Sequence, residues 1–169
     1  MWFATGWSAR SSRPMPRTST SRGGIDVDAG RQRLSLATKS VRALADFVLK
    51  RERVPSAMLS IAFVSRRTMS AMNKRHLGHR GDTDVITFAL GRQTASSPLV
   101  GDIYVAPEVV RDQARRLKVP VREELARVVV HGVLHAVGHD HPEDDGRERS
   151  KMWKRQERWL AAARDEGVW

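Results

Sequence analysis

The chain has 169 residues, a formal net charge of +11 and no cysteine. This length fits a single domain, and the lack of cysteine excludes disulfide bonds, thiolate metal ligands and cysteine nucleophiles. No apolar run approaches the roughly 18–20 residues that a transmembrane helix needs, so we expect no membrane partner. The basic excess favours a polyanion such as nucleic acid, although an arginine-rich genome would raise the charge in the same way.

Residues 1–23 are predicted to lie outside the fold as a disordered basic arm. They contain four arginines and no acidic residue, and they lack the continuous apolar core of a secretory signal. An organelle transit peptide, or a true start at Met15, fits the same composition. The folded domain is expected to span residues 24–169.

The first half of the domain predicts two strands and two helices. Apolar residues alternate with acids in GGIDVDA, residues 23–29, which indicates a short strand. Apolar residues at helical spacing predict a helix over about residues 32–53. A second strand follows in MLSIAFVS, and Ser65 is placed to cap a helix over about residues 66–76.

The second half predicts two strands and three helices. Residues 83–90 and 99–106 are rich in β-branched and aromatic side chains and are expected to pair as a hairpin. Helices are predicted over residues 107–117, 120–137 and 143–167. Because strands and helices mix without regular alternation, the pattern predicts an α+β domain with one small sheet. The last helix carries a stripe interpreted as core: Met152, Trp153, Gln156, Trp159, Leu160 and Ala163.

Three histidines are spaced as metal ligands. His131 and His135 are four residues apart, so on a helix their rings project from one face, one turn apart. Gly138 allows a sharp turn after the helix, and His141 can then reach the same ion. Three neutral imidazoles suit zinc, with nickel, copper or iron possible by ligand type. A fourth position left open indicates catalysis, although Asp140 could close it.

The spacing H-x-x-x-H-x-x-G-x-x-H is also that of the metzincin proteases. Those enzymes carry their glutamate base directly after the first histidine, where this chain has Gly132. The metal site is therefore retained while a protease function is disfavoured. His139 is expected near the site or at the surface, and Asp140 or an acid of PEDD is a candidate partner for an imidazole N–H. His76 and His79 are interpreted as solvated loop histidines.

With these residues in view, the chain resembles the YbeY family of bacterial rRNA maturation factors from about residue 25 to about residue 163. The segment HGVLHAVGHDHPEDD is close to the family signature H-G-x-L-H-x-x-G-x-D-H. TDVITF, residues 83–88, is similar to the family's T-D-V-L-S-F, and GDIYVAPE, residues 101–108, is similar to its G-D-I-x-I. Asn73 stands ten residues before Thr83, as in the family.

The resemblance implies a single-strand-specific metallo-endoribonuclease that acts in 3′-end maturation of small-subunit (16S) rRNA and in ribosome quality control, in the cytoplasm. It implies one Zn²⁺ per chain on His131, His135 and His141, with a zinc-bound water in the reaction. The expected partners are single-stranded RNA and the small ribosomal subunit. The implied fold is a small, mostly parallel four-stranded sheet packed with about five helices in a single domain.

One departure from the family concerns an arginine thought to help with RNA. Many members have an aromatic residue and then Arg at the positions that here hold His76 and Leu77. Arg75 and Arg80 are close in sequence and are the candidate catalytic and RNA-binding side chains, although each could also be an ordinary solvated arginine.

Two other functions stay open from the sequence. A non-catalytic, zinc-stabilised ribosome-binding assembly factor would need the same histidines and the same basic surface. A metalloprotease without its glutamate is the poorer alternative. For the endoribonuclease, either water or the 2′-OH of the RNA could be the nucleophile, and the second would not require a strong protein base.

Overall fold

A computed structural model describes residues 2–3, 24–77, 82–142 and 150–169 of the chain. It has five strands and five helices in these ranges. The strands are β1 (Trp2–Phe3), β2 (Gly24–Asp28), β3 (Ala57–Phe63), β4 (Val85–Gly91) and β5 (Leu99–Val105). The helices are α1 (Thr38–Arg51), α2 (Arg66–Leu77), α3 (Pro107–Leu117), α4 (Val121–Val137) and α5 (Lys151–Asp165).

The strands form one open sheet in the order β1-β4-β5-β3-β2. The pairs β1–β4, β2–β3 and β3–β5 are parallel, and β4–β5 is the antiparallel hairpin that the sequence predicts. The predicted α+β fold with a mostly parallel sheet and five helices is therefore confirmed. The four predicted strands are joined by β1, whose two residues pair with Ile86 and Thr87 of β4. The rest of the predicted arm is not among the described residues, so the domain boundary stays a prediction.

Two helix starts differ from the sequence pattern. The first helix begins at Thr38, not near residue 32, because Ala37 is still extended (φ −65°, ψ 147°). Leu34 fits the helical pattern but precedes the helix, and it packs against the core from a non-helical segment, so its helical phase is misleading. The last helix begins at Lys151 and is capped by Ser150, whose Oγ accepts from Trp153 N at 3.1 Å. The acidic residues predicted to begin this helix lie in 143–149, beyond what the structure describes.

Helix α4 is the central element of the core. Twelve of its 17 residues are buried, and it contacts α1, α3, α5, β4 and β5. Its residues are mostly small or β-branched, which lets the neighbouring helices and the sheet approach from several sides. The histidines on α4 are therefore placed in the protein interior. Over the described ranges, no helix combines the length and the apolar character that a membrane crossing would require.

Candidate metal centre

The structure brings the three predicted ligands together. His131 and His135 lie on α4 and are 1% and 3% exposed, while His141 lies half-buried in the loop after the helix. The ring centroids are 4.5, 5.0 and 5.1 Å apart. One nitrogen from each ring lies within 4.8 Å of the other two. Over the described part of the chain, these three histidines are the one cluster of His, Asp or Glu side chains close enough to share a metal ion.

The turn at Gly138 returns the chain toward the helix. Gly138 is left-handed (φ +105°) and its N–H donates to His135 O at 2.9 Å. The N–H of His139 donates to Leu134 O at 3.0 Å, which satisfies a second carbonyl at the helix end. The carboxylate of Asp140 accepts from the N–H of His141 at 2.8 Å. Asp140 therefore supports the loop, and it does not belong to the histidine cluster.

Hydrogen bonds assign the proton on two of the three rings. Nδ1 of His131 is 2.6 Å from Oε1 of Gln156, and Nδ1 of His141 is 2.7 Å from the carbonyl oxygen of Pro142. Because a carbonyl oxygen only accepts, each Nδ1 carries the hydrogen in the neutral ring and each Nε2 presents a lone pair. These two Nε2 atoms are 3.3 Å apart. Two lone pairs at this distance repel each other unless a cation lies between them.

The observed spacing fits a tetrahedral ion. Two nitrogens that are each about 2.05 Å from a tetrahedral zinc ion lie about 3.3 Å apart. The Nε2 atoms of His131 and His141 have this separation, and the ring of His135 lies beside both. His131 and His141 therefore fit a bound divalent cation in distance and in protonation, and His135 is close enough to be the third ligand.

Gln156 is the support for His131 that the sequence pattern did not identify. It was expected in the core stripe of α5, and it is indeed 1% exposed, but it also accepts the hydrogen bond from His131. Asp140 was a predicted partner, but its carboxylate accepts from the backbone N–H of His141. The acids of PEDD, the other candidates, lie in 143–149, outside the described residues. A glutamine among apolar positions was an available signal, because a buried polar side chain requires a hydrogen-bond partner.

His139 is held away from the cluster by Glu52. Its Nε2 lies 2.7 Å from Oε2 of Glu52, whose side chain is 4% exposed. Glu52 also accepts from Arg155 at 3.0 Å and from Trp159 Nε1 at 2.6 Å. Burial alone would raise the pKa of Glu52, but the hydrogen bonds from His139, Trp159 and Arg155 outweigh it and keep that pKa below its usual range. This carboxylate therefore joins the loop after α4 to α1 and α5.

The candidate RNA-binding residues lie on a different element or beyond the described part. Arg75 is exposed in the last turn of α2, which packs on β4 and α3. Arg80 and His79 fall in 78–81, which the structure does not describe. His76 was interpreted as a loop residue, but it lies in α2 with its ring edge-on to Phe88 at 5.6 Å. The roles of Arg75 and Arg80 in RNA binding and catalysis stay predictions.

Comparison with known proteins identifies the family. The family model described as Endoribonuclease YbeY matches residues 26–164. Relatives of that name include the protein of Frankia alni, 37% identical over 131 residues (71% of each chain). The relative from Beutenbergia cavernae is 39% identical over 126 residues, which cover 70% of this chain and 83% of that protein.

A solved structure has a similar fold. The solution structure of TM1509 from Thermotoga maritima superposes with a TM-score of 0.55 and 25% identity, covering 85% of this chain and 94% of that one. The predicted family resemblance is thus confirmed over most of the chain. This protein belongs to the YbeY family of endoribonucleases.

Proposed function

We propose that the protein is a zinc-dependent endoribonuclease specific for single-stranded RNA, with residues 24–169 as its metal-dependent hydrolase domain and residues 1–23 as a basic arm. Its function is 3′-end maturation of 16S rRNA and ribosome quality control in the cytoplasm, with the small ribosomal subunit as partner. Membership of a family named for endoribonuclease activity supports the reaction class. The observation that carries the proposal is the 3.3 Å approach of the His131 and His141 Nε2 atoms.

His131, His135 and His141 are the proposed ligands. Zinc is the proposed ion because three imidazole donors with an open fourth position are the ligand set of a known class of catalytic zinc site. Nickel, copper and iron share the preference for imidazole, so metal analysis of the purified protein distinguishes them. When bound, Zn²⁺ lowers the pKa of a coordinated water and polarises a phosphoryl oxygen. Three protein donors would leave a fourth position free for water or substrate, as in catalytic zinc sites.

The remaining contributions come from the side chains of the protein. Gln156 and the carbonyl of Pro142 hold the Nδ1 protons of their histidines, so both rings keep Nε2 available. Arg75 and Arg80 would offset the negative charge that grows on the scissile phosphate. The +11 net charge favours long-range attraction of RNA, which weakens as salt is raised.

The test is cleavage of single-stranded RNA by protein purified without a histidine tag. The wild type should cleave a single strand and spare the matched duplex, lose activity with chelator and regain it with zinc. His135→Ala should lose both metal and activity. His76→Ala is the control for metal content because its ring is exposed on α2. A cyclic or 3′-phosphate at the product end would identify the 2′-OH as nucleophile.

Two results would overturn this proposal. Equal cleavage by the wild type and His135→Ala would show that the activity does not come from the histidine centre. Stoichiometric zinc in the wild type, lost in His135→Ala, together with no cleavage of any RNA, would establish the non-catalytic ribosome-binding factor instead.

A further inference from the structure

We infer that Glu157 is a positioning residue that sets the tautomer of His131 through the side-chain amide of Gln156. The inference rests on the metal centre proposed above, and it assigns a role to an ion-pair cluster that lies between α4 and α5. Three hydrogen bonds that join Arg127, Glu157, Gln156 and His131 in sequence carry it.

The first step concerns the amide and the imidazole. Oε1 of Gln156 faces Nδ1 of His131 at 2.6 Å, so the ring carries its proton on Nδ1. If the amide were turned by 180°, its NH₂ group would face Nδ1. The ring proton would then move to Nε2, and this nitrogen could no longer donate a lone pair to a metal ion. The orientation of one amide therefore decides whether His131 can be a ligand through Nε2.

The second step concerns what orients the amide. Nε2 of Gln156 donates to Oε1 of Glu157 at 2.9 Å. An ionised carboxylate only accepts hydrogen bonds, so a turned amide would place its oxygen against the oxygen of Glu157. That arrangement loses one hydrogen bond and brings two negative atoms together. Glu157 therefore favours the orientation in which the amide oxygen faces His131.

The third step concerns what holds the carboxylate. Nε of Arg127 donates to the same Oε1 of Glu157 at 3.0 Å. The Arg127 side chain is 16% exposed, and its other nitrogens bind Glu123 at 3.1 Å and Glu124 at 2.5 Å. Arg127 and His131 are one turn apart on α4, while Gln156 and Glu157 are consecutive on α5. The four side chains therefore form a chain of hydrogen bonds that starts on α4 at Arg127, passes through α5 and returns to α4 at His131.

The cluster contains its own matched control. Glu123 pairs with Arg127 at 3.1 Å and with Arg164 at 3.0 Å, and neither contact involves the Gln156 amide. Glu123→Gln neutralises one of the carboxylates that pair with Arg127. Glu157→Leu removes the acceptor of the Gln156 amide, and Glu157→Gln removes the charge but keeps an oxygen acceptor. Because the Glu157 side chain is 36% exposed, these variants are expected to fold.

The experiment has two measurements on the full chain. The first is zinc affinity, by competition with a chromogenic chelator. The second is the tautomer of His131, from the ¹⁵N shifts of its ring nitrogens in metal-free protein whose helix content is checked by circular dichroism. Glu157→Leu should shift His131 toward the Nε2–H form and lower zinc affinity by about 10- to 100-fold. Glu123→Gln should retain the wild-type tautomer and affinity, and Glu157→Gln should be closer to the wild type than Glu157→Leu.

The inference is overturned if Glu157→Leu keeps the Nδ1–H tautomer, or if Glu123→Gln lowers zinc affinity as much as Glu157→Leu does. Equal losses in Glu157→Gln and Glu157→Leu would also overturn it, since an acceptor oxygen would then be irrelevant. Failure of the proposed function is a different result: the wild type would bind no zinc, while the tautomer measurement would still test Glu157.

Discussion

Gly132 and Ile103 are in such close contact that a Cβ atom on Gly132 would lie 2.7 Å from Cγ2 of Ile103. The same added atom would lie 3.4 Å from side chains of Val85 and Thr87, so this side of α4 rests directly on β4 and β5. In the metzincin pattern the position after the first histidine carries the glutamate base. Here that position faces the sheet, so a glutamate side chain has no room beside the metal centre.

Gly132→Ala is therefore expected to destabilise the fold. Overpacking costs about 1–3 kcal/mol, and the better helix propensity of alanine returns up to ~1 kcal/mol. We expect a net loss of about 1–2 kcal/mol in the free energy of unfolding, measured by urea denaturation. In an Ile103→Ala background the same substitution should cost less, because Cγ2 is gone. An unchanged cost in that background would contradict the steric explanation.

Ser150→Ala is expected to weaken the start of α5, the helix that supports His131. The Ser150 hydroxyl accepts from Trp153 N–H at 3.1 Å, and loss of such a cap costs about 1 kcal/mol. Thermal or urea unfolding measures the loss. Ser150→Asp keeps an acceptor at the same position and should remain near the wild type. Equal destabilisation by Ala and Asp would show that capping is not the reason.

Glu52→Gln should destabilise the protein at neutral pH and much less in acid. Loss of a charged acceptor for His139, Arg155 and Trp159 costs about 1.5–3 kcal/mol. Because the folded-state pKa of Glu52 is below the ordinary value of 4.5, its contribution is complete above pH 4.5 and is lost as the pH falls through the folded pKa.

Urea unfolding of the wild type and Glu52→Gln between pH 7 and pH 3 tests this dependence. The stability difference between the two proteins should be constant down to about pH 4.5 and shrink below it. Asp46→Asn is the control, because Asp46 pairs with Lys50 on the exposed side of α1. A stability difference for Glu52→Gln that grows as the pH falls would reverse the assigned sign.

Zinc is expected to raise the melting temperature of the wild type, and chelator should reverse the effect. At a free zinc concentration of 100 times Kd the stabilisation is about 2.7 kcal/mol. His131→Ala removes a proposed ligand and should abolish the response, while His76→Ala should keep it. Differential scanning fluorimetry measures the shift. A full zinc response in His131→Ala would exclude that residue as a ligand.

The effect of Leu77 in place of the family's arginine can be tested by introducing arginine at this position of α2. Leu77→Arg is expected to raise kcat/KM for single-stranded RNA by about 10-fold or more, since a fixed cation stabilises charge in the transition state. Leu77→Met is the size-matched control. Arg75→Ala and Arg80→Ala should each lower RNA affinity by a factor that decreases at high salt. Equal rates for Leu77→Arg and Leu77→Met would show that the position does not contact substrate.

Local sequence signals predicted several elements closely. The helix Pro107–Leu117 has the predicted bounds, because proline at its first position and the loss of periodicity at its end are local features. The hairpin of β4 and β5 was likewise indicated by two β-rich segments and a short polar connection. The predicted start of α1 was wrong because a partly buried residue before a helix, here Leu34, can fall in helical phase without being helical.

The metal-ligand spacing of the histidines could also be predicted from local sequence, because the geometry of one helix and one turn brings the rings toward a common point. The hydrogen-bond partners of His131 and His139, in contrast, could not be predicted from the sequence. Gln156 is 25 residues from His131, and Glu52 is 87 residues from His139. Such partners meet only when α1, α4 and α5 pack together, because side-chain hydrogen bonds depend on distances that no local pattern encodes. The sequence alone thus determined which three rings could converge, and tertiary packing decided which nitrogen of a ring carries its proton.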